Sequence, residues 1–173
     1  MSDLAKTQLP STTALVIERQ GSVLKIWFNR PEAKNALNAE MTDELVKVLS
    51  LVKDDRSIRT IVLRGKGGFF CAGGDIKGFK SGMQTIDAAE VAKSNRSFGD
   101  VMVMLNEQPQ VVIILVEGAA IGGGLGLACV ADVTLVTADA RFRLSETSLG
   151  IPPAQIAPFV TERVGLTQAR RLM

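Results

Sequence analysis

The most apolar run of the chain, Val111-Val112-Ile113-Ile114-Leu115-Val116, leads directly into Gly118-Ala119-Ala120-Ile121-Gly122-Gly123-Gly124-Leu125-Gly126-Leu127-Ala128-Cys129. The run reads as a buried strand, and Leu125, Leu127, Ala128 and Val130 read as the start of a short buried helix. Glycines at such a strand-to-helix junction lose more backbone entropy than any other residue. They also leave bare N–H groups at the positive end of a helix, with no side chain to block approach. Such a bend suits an anion, or an oxygen that becomes one during a reaction. Taken alone, a glycine cluster is as readily a tight turn where a helix packs closely on a sheet.

The remaining composition narrows the chemistry chiefly by what it lacks. A chain of 173 residues with 46% hydrophobic residues is long enough for one domain with its own core. We place a tail at 1–12 and the core domain at 13–173. Twenty basic residues against eighteen acidic ones leave +2, with no basic cluster interleaved with aromatics, so a nucleic-acid partner is not expected. No run reaches the length of a membrane span, and Met1 to Thr13 has no apolar signal core, so the expected setting is cytoplasmic. Histidine and tyrosine are both absent. That removes a Ser–His–Asp triad and histidine zinc sites. Cys71 and Cys129 stand far apart, which rules out a zinc knuckle or a redox CxxC pair, and no metal is expected. Proton transfer in this chain falls to a carboxylate, a lysine, a thiol or a bound water.

In chain order, Ala14–Glu18 and Val23–Phe28 flank Gln20-Gly21-Ser22 as strand, turn and strand. Asn29 to Asn38 is a polar loop, with Asn38 a helix N-cap and Met41, Leu45, Val48, Leu49 and Val52 on one helical face. Ile61-Val62-Leu63 forms a strand, Ile76 to Phe79 a short helix, and Lys80 to Asp87 a polar, aperiodic segment expected to be mobile. Ala88 to Asn106 reads as a long helix with Val91, Phe98, Val101, Met102 and Leu105 inward. Asp132 to Thr137 is a further strand, Arg141 to Leu144 a short extended piece, and Ala154 to Met173 a last helix after Pro152-Pro153. Strands alternating with helices indicate an α/β layered fold. The last helix carries no glycine cap or proline stop, so the C-terminal part is expected to be truncated.

A second glycine turn, Phe69-Phe70-Cys71-Ala72-Gly73-Gly74-Asp75-Ile76, also leaves a strand. Two such turns after neighbouring strands can each aim an N–H at one point, which is the geometry of an oxyanion hole. Neither turn has GxGxxG or GxxxxGK[ST] spacing, so a nucleotide loop is disfavoured. Downstream, Ser145-Glu146-Thr147-Ser148-Leu149-Gly150 places a carboxylate among small and apolar residues. A glutamate in such surroundings can pass protons near neutrality, although most glutamates in loops are solvated or cap a helix.

Asn29 to Asn38, Phe70 to Ile76, Gly118 to Ala128, Ala131-Asp132 and Phe142 through Pro153 together resemble the successive motifs of the crotonase superfamily, the enoyl-CoA hydratase/isomerase family. The resemblance runs in order from about Val16 to the end of the chain. It implies a spiral of ββα repeats, assembled as trimers that pair into hexamers, with further C-terminal helices over the acyl-CoA site. It implies that the N–H groups of Gly74 and Gly123 hold the oxygen of an acyl-CoA thioester. Ala33, Lys34, Ala36 and Leu37 would line the CoA site, with Ala72, Asp75, Ile76 and Lys77 near the adenine end. Arg30 and Lys34 are candidate phosphate partners. No cofactor is implied, because coenzyme A is part of the substrate. Of the two glutamates typical of hydratases, one aligns with Glu146 and the other falls on Gly126, which has no side chain. The implied activity is enoyl-CoA hydration with Glu146, Gly74 and Gly123 as the catalytic groups. Double-bond isomerisation with a single glutamate, or acyl-CoA binding without catalysis, are the alternatives. Pro152-Pro153-Ala154-Gln155 resembles hydratases of branched glutaconyl-type thioesters.

Overall fold

A computed structural model describes residues 8–75 and 88–173. The expected short helix at Ile76 to Phe79, the mobile segment Lys80 to Asp87 and the site residues Ile76 and Lys77 lie outside the described residues. So does most of the N-terminal tail.

Strands β1 (Leu15–Gln20) and β2 (Val23–Phe28) form the expected antiparallel hairpin, turning at Gly21 with φ of 59°. From β2 the sheet continues in parallel through β3 (Thr60–Gly65), β4 (Val111–Val116) and β6 (Val133–Val136). The period-2 pattern of these strands sends Leu24, Ile26 and Phe28, Ile61 and Leu63, and Val112, Ile114 and Val116 into one buried face. Helix α1 (Ala39–Val52) and helix α2 (Ala88–Asn106) meet this core through Met41, Leu45, Val48, Leu49 and Val52 and through Val101, Met102 and Leu105. The opposite face, with Trp27, Val62, Ile113 and Leu115, is only half-buried among the described residues. That differs from the two dry faces usual for parallel sheets.

The α1 N-terminus forms as its sequence requires. The Asn38 side chain accepts a hydrogen bond from the Met41 amide at 3.0 Å, and Glu40 sits in the first turn. At the other end, the buried Gln110 side chain donates to the Val52 carbonyl at 2.8 Å. Asp132 ties the sheet together by accepting from the Val112 amide at 2.7 Å.

Two expectations need correction. The glycine bend is not a direct strand-to-helix junction. A short strand β5 (Ala119–Ile121) intervenes, paired in parallel with β7 (Arg141–Arg143), and only then does helix α3 (Gly123–Val130) begin. Single parallel bridges, Cys71 to Ala120 and Leu37 to Gly74, extend this small second layer toward the earlier loops. The last helix, α4 (Ala157–Leu172), starts three residues later than expected, because Pro152 and Pro153 take part in turns closed by the Ala154 and Ile156 amides. It is also broken at Gly165, whose φ of 75° and ψ of 158° are not helical.

Beyond β2 the chain turns through Lys34 and Asn35, two consecutive non-glycine residues with left-handed φ of 49° and 54°. Asn35 is completely buried. Its side-chain oxygen accepts from the Arg30 amide at 3.0 Å, while its Nδ2 donates to the carbonyls of Lys66 (2.9 Å) and Phe69 (2.6 Å). Asparagine tolerates this backbone region better than most residues, and here its amide replaces three missing backbone partners. Asn35→Ala removes all three bonds in a dry site and is expected to lower stability by about 2–4 kcal/mol, read as a shifted urea midpoint at unchanged slope.

Candidate active site

The two glycine turns meet with no side chain between them. A Cβ on Gly73, whose φ is +88°, would stand 2.9 Å from the Ile121 carbonyl oxygen. One on Gly124 would stand 2.8 Å from the Cβ and carbonyl oxygen of Cys71. Both distances are shorter than real Cβ contacts allow, so the approach depends on glycine at each position. The Cys71 amide donates to the Ala119 carbonyl at 3.1 Å, and the Ile121 amide donates to the Cys71 carbonyl at 3.0 Å, locking the turns in register.

The loop of Ala33, Lys34, Ala36 and Leu37 lies along the second turn. The Ala72 amide donates to the Lys34 carbonyl (3.0 Å), the Leu37 amide to Gly73 (2.7 Å) and the Asp75 amide to Leu37 (2.9 Å). In a parallel bridge of this pattern the residue flanked by the two bonds points its own N–H and C=O away from its partner. Gly74 is that residue, so its amide faces away from Leu37, and no acceptor meets it among the described residues. Arg30 is not a free cation here. Its guanidinium donates to the Ala36 carbonyl at 2.5 Å and pairs with Asp75 at 2.9 Å, so it braces the loop instead of standing open for a phosphate. Lys34 is exposed, with its Nζ 5.6 Å from the centre of the Phe69 ring.

Helix α3 has unequal ends. Every one of its eight residues is buried. At the C-terminus the Ala128 carbonyl accepts from Thr134 Oγ1 at 2.7 Å and the Cys129 carbonyl from Arg163 Nε at 2.9 Å. At the N-terminus the Gly122 amide is taken by Arg143 and the Gly126 amide returns to Gly122. That leaves the amides of Gly123, Gly124 and Leu125 without an acceptor among the described residues. Buried N–H groups are seldom left unpaired. These three form the positive pole of the helix.

Glu146 stands at this pole. Its Oε1 lies 2.6 Å from where a Cβ on Gly122 would be, with Ser145 Oγ at 3.1 Å from the same point. The carboxylate is half-buried, and its neighbour Ser145 is a distant donor at 3.5 Å. Its position is therefore set by the glycine turn and the α3 pole more than by the apolar pocket expected of its own segment. Over Gly123, the Leu37 and Phe98 side chains both approach to 3.0 Å of the Cβ position.

The space beside Gly126 is filled. A Cβ there would meet Ile156 Cγ2 at 2.4 Å and Met102 Cε at 2.9 Å, so the missing side chain is replaced by hydrocarbon from two other segments. Ile156 is a residue that the sequence reading passed over; its only signal was an apolar position after Pro152-Pro153. Neither cysteine is suited to act as a nucleophile. Burial pushes the Cys71 thiol up to about 12 against a weak opposing bond from the Gly73 amide. Burial also raises Cys129, with Arg163 acting in the opposite direction. Among the described residues no cluster of three metal-ligating side chains occurs, and no helix is long and apolar enough to cross a membrane.

The fit around Gly126 can be measured directly. Gly126→Ala is expected to cost about 1–3 kcal/mol by overpacking. In an Ile156→Ala background the same change should cost much less, a non-additivity that a double-mutant cycle of denaturation curves will report.

Comparison with known proteins gives a consistent answer. A family model described as enoyl-CoA hydratase/isomerase matches residues 18–173. The solved structure of Pseudomonas aeruginosa AtuE superposes with a TM-score of 0.90 at 52% identity, covering 92% of this chain and 62% of that one. An enoyl-CoA hydratase/isomerase from Marinobacter aquaeolei gives a TM-score of 0.86 at 48% identity, with the same coverage of 92% and 62%. Enoyl-CoA hydratase ACTT6 of Alternaria alternata is 32% identical over 158 residues, 91% of this chain and 50% of that protein. The chain thus spans about half the length of such a curated relative.

Proposed function

The chain belongs to the enoyl-CoA hydratase/isomerase family, and from that premise we propose that it binds an enoyl-CoA thioester and adds water across the double bond. The observation that carries this reading is the placement of the Glu146 carboxylate at the pole of α3, beside amides that lack a protein acceptor. The hydratase names of relatives such as ACTT6 support it further.

In this reading the amides of Gly74 and Gly123 hold the thioester oxygen. Glu146 takes a proton from water as the water oxygen bonds to Cβ, and the electron pair of the double bond moves through Cα onto the thioester oxygen as an enolate. The two amides stabilise that charge as it forms. The enolate then collapses, Cα takes a proton from the Glu146 carboxyl, and the carboxylate is restored. The loop of Ala33, Lys34, Ala36 and Leu37 lines the CoA path, and the family resemblance assigns Ala72, Asp75, Ile76 and Lys77 to the adenine end. No separate cofactor is required. We assign acyl-CoA binding to a core domain at 13–173, in a homotrimer or a hexamer of two trimers that sedimentation would reveal. Two free, buried cysteines are in keeping with a reducing, cytoplasmic setting.

The filled space at Gly126 favours one competing reading, a double-bond isomerase, since a single carboxylate suffices to carry one proton between carbons. A trans-2-enoyl-CoA decides between them. Loss of its conjugated absorbance with formation of a 3-hydroxyacyl-CoA supports hydration, whereas no loss together with migration from a 3-enoyl-CoA refutes it.

Two variants of the full protein test the roles of the residues. Glu146→Gln keeps size and hydrogen bonding but cannot exchange the proton, and is expected to lower turnover by about 10²–10⁴-fold at unchanged melting temperature. Gly74→Pro deletes one amide donor at a position where an added Cβ meets nothing within 4 Å, and turnover should fall by about 10²–10³-fold. Near-normal rates in a folded Glu146→Gln variant would place the acid–base group elsewhere.

A further inference from the structure

Along one side of α3 the neighbours change from polar to hydrocarbon within a single turn. At Gly122 the neighbour is the Glu146 carboxylate; at Gly126 it is Ile156 backed by Met102, both fully or almost fully buried. Four residues of helix separate these positions by about 6 Å. Phe98, from the same helix as Met102, covers Gly123 between them. Ile156 is not a mobile end of the chain. Its amide donates to the Pro153 carbonyl at 3.1 Å and its carbonyl accepts from Val160 at 3.0 Å, and the neighbouring Gln155 side chain is pressed against Gly99 of α2, where a Cβ would stand 2.4 Å from its Oε1. The segment is therefore held between α2 and α3, and its hydrocarbon is presented at a fixed depth.

We propose that Ile156, backed by Met102 and continued by Phe98, is a specificity-determining residue: a rigid hydrocarbon wall, one helical turn from the Glu146 carboxylate, that limits the length and branching of the acyl chain the site accepts. This deepens the proposed hydratase function and rests on it. A thioester whose oxygen lies at the Gly123 amide has its double bond within two carbons, and Gly126 lies three residues, about 5 Å, further along the same helix. A hydrocarbon wall there gains from apolar contact with short chains and excludes longer or branched ones by overlap. Removing methyl groups from such a wall changes discrimination between homologous substrates by about 10-fold or more.

The test uses the full protein and a series of trans-2-enoyl-CoA substrates of increasing chain length and branching. In Ile156→Ala the ratio of kcat/KM for a long or branched enoyl-CoA over crotonyl-CoA should rise by about 10-fold or more. Ile156→Val, which removes a single methyl and keeps the Cγ2 contact with Gly126, should shift the ratio in the same direction by less, and it serves if the alanine variant does not fold. A ratio that stays within about twofold of wild type in a folded variant overturns the wall while leaving hydration intact, because the wild-type protein is active in the same assay. A wild-type protein that hydrates no member of the series overturns both.

Discussion

Everything in the site depends on two pieces of backbone approaching more closely than side chains permit. Gly73 rests on the Ile121 carbonyl and Gly124 on Cys71, and the hydrogen bonds of Cys71 to Ala119 and Ile121 hold that contact in register. The first sheet supplies the frame, since β3 and β4 are adjacent parallel strands whose C-terminal ends feed the two turns. A single methyl group at either glycine would push the layers apart. The spare amide of Gly74 and those at the head of α3 would then no longer share one neighbourhood. The energetic cost of so many glycines in the unfolded chain is offset by this contact and by the packing of α3, whose eight residues are all buried.

Most of this frame could be read from the residues themselves. Strands β1 to β4 and β6 carry period-2 or continuous apolar patterns, α1 begins at its asparagine cap, and α2 runs over the residues its periodicity marks. The resemblance of the motifs to the family, together with the glycine turns and Glu146, pointed to the residues that the fold gathers around α3. Much of what the residues did not reveal depends on partners far away in the chain. β5 has three residues between glycines, too few to show alternation, and exists because Cys71 and Arg141–Arg143 flank it. Arg30 reads as a candidate phosphate partner until Asp75, 45 positions later, pairs with it. The resemblance identified Gly126 as an absent carboxylate, but that Ile156 fills the gap follows only from how Pro152-Pro153 steers the chain back over α3. The break at Gly165 is a local exception, because an isolated glycine in a periodic stretch does not announce whether the helix continues through it.

The electrostatics of α3 follow from its burial. A helix immersed in protein has no water to satisfy its ends, so each end needs a partner of its own. Thr134 and Arg163 serve the carbonyl end, while the amide end is left to whatever occupies the space beside Glu146. A carboxylate and a helix N-terminus attract each other, which helps hold Glu146 near Gly122, where the side-chain hydrogen bond it accepts among the described residues is a long one from Ser145.

The pairing of β5 with β7 also sets an order of events during synthesis. The hairpin, α1, β3, α2 and β4 are complete by Val116, and the earlier loop of Leu37 and Gly74 can close within that portion. The later turn cannot. Its entry is held by the Arg141 amide on the Gly118 carbonyl, and its exit by the Gly122 amide on the Arg143 carbonyl. Until residues 141–143 have been made, the glycine-rich turn has its bonds to Cys71 but not the β7 side of its clamp. The frame is thus available as a template well before the site, and the segment carrying Glu146, three residues further on, arrives only after the clamp that gives it a place to dock.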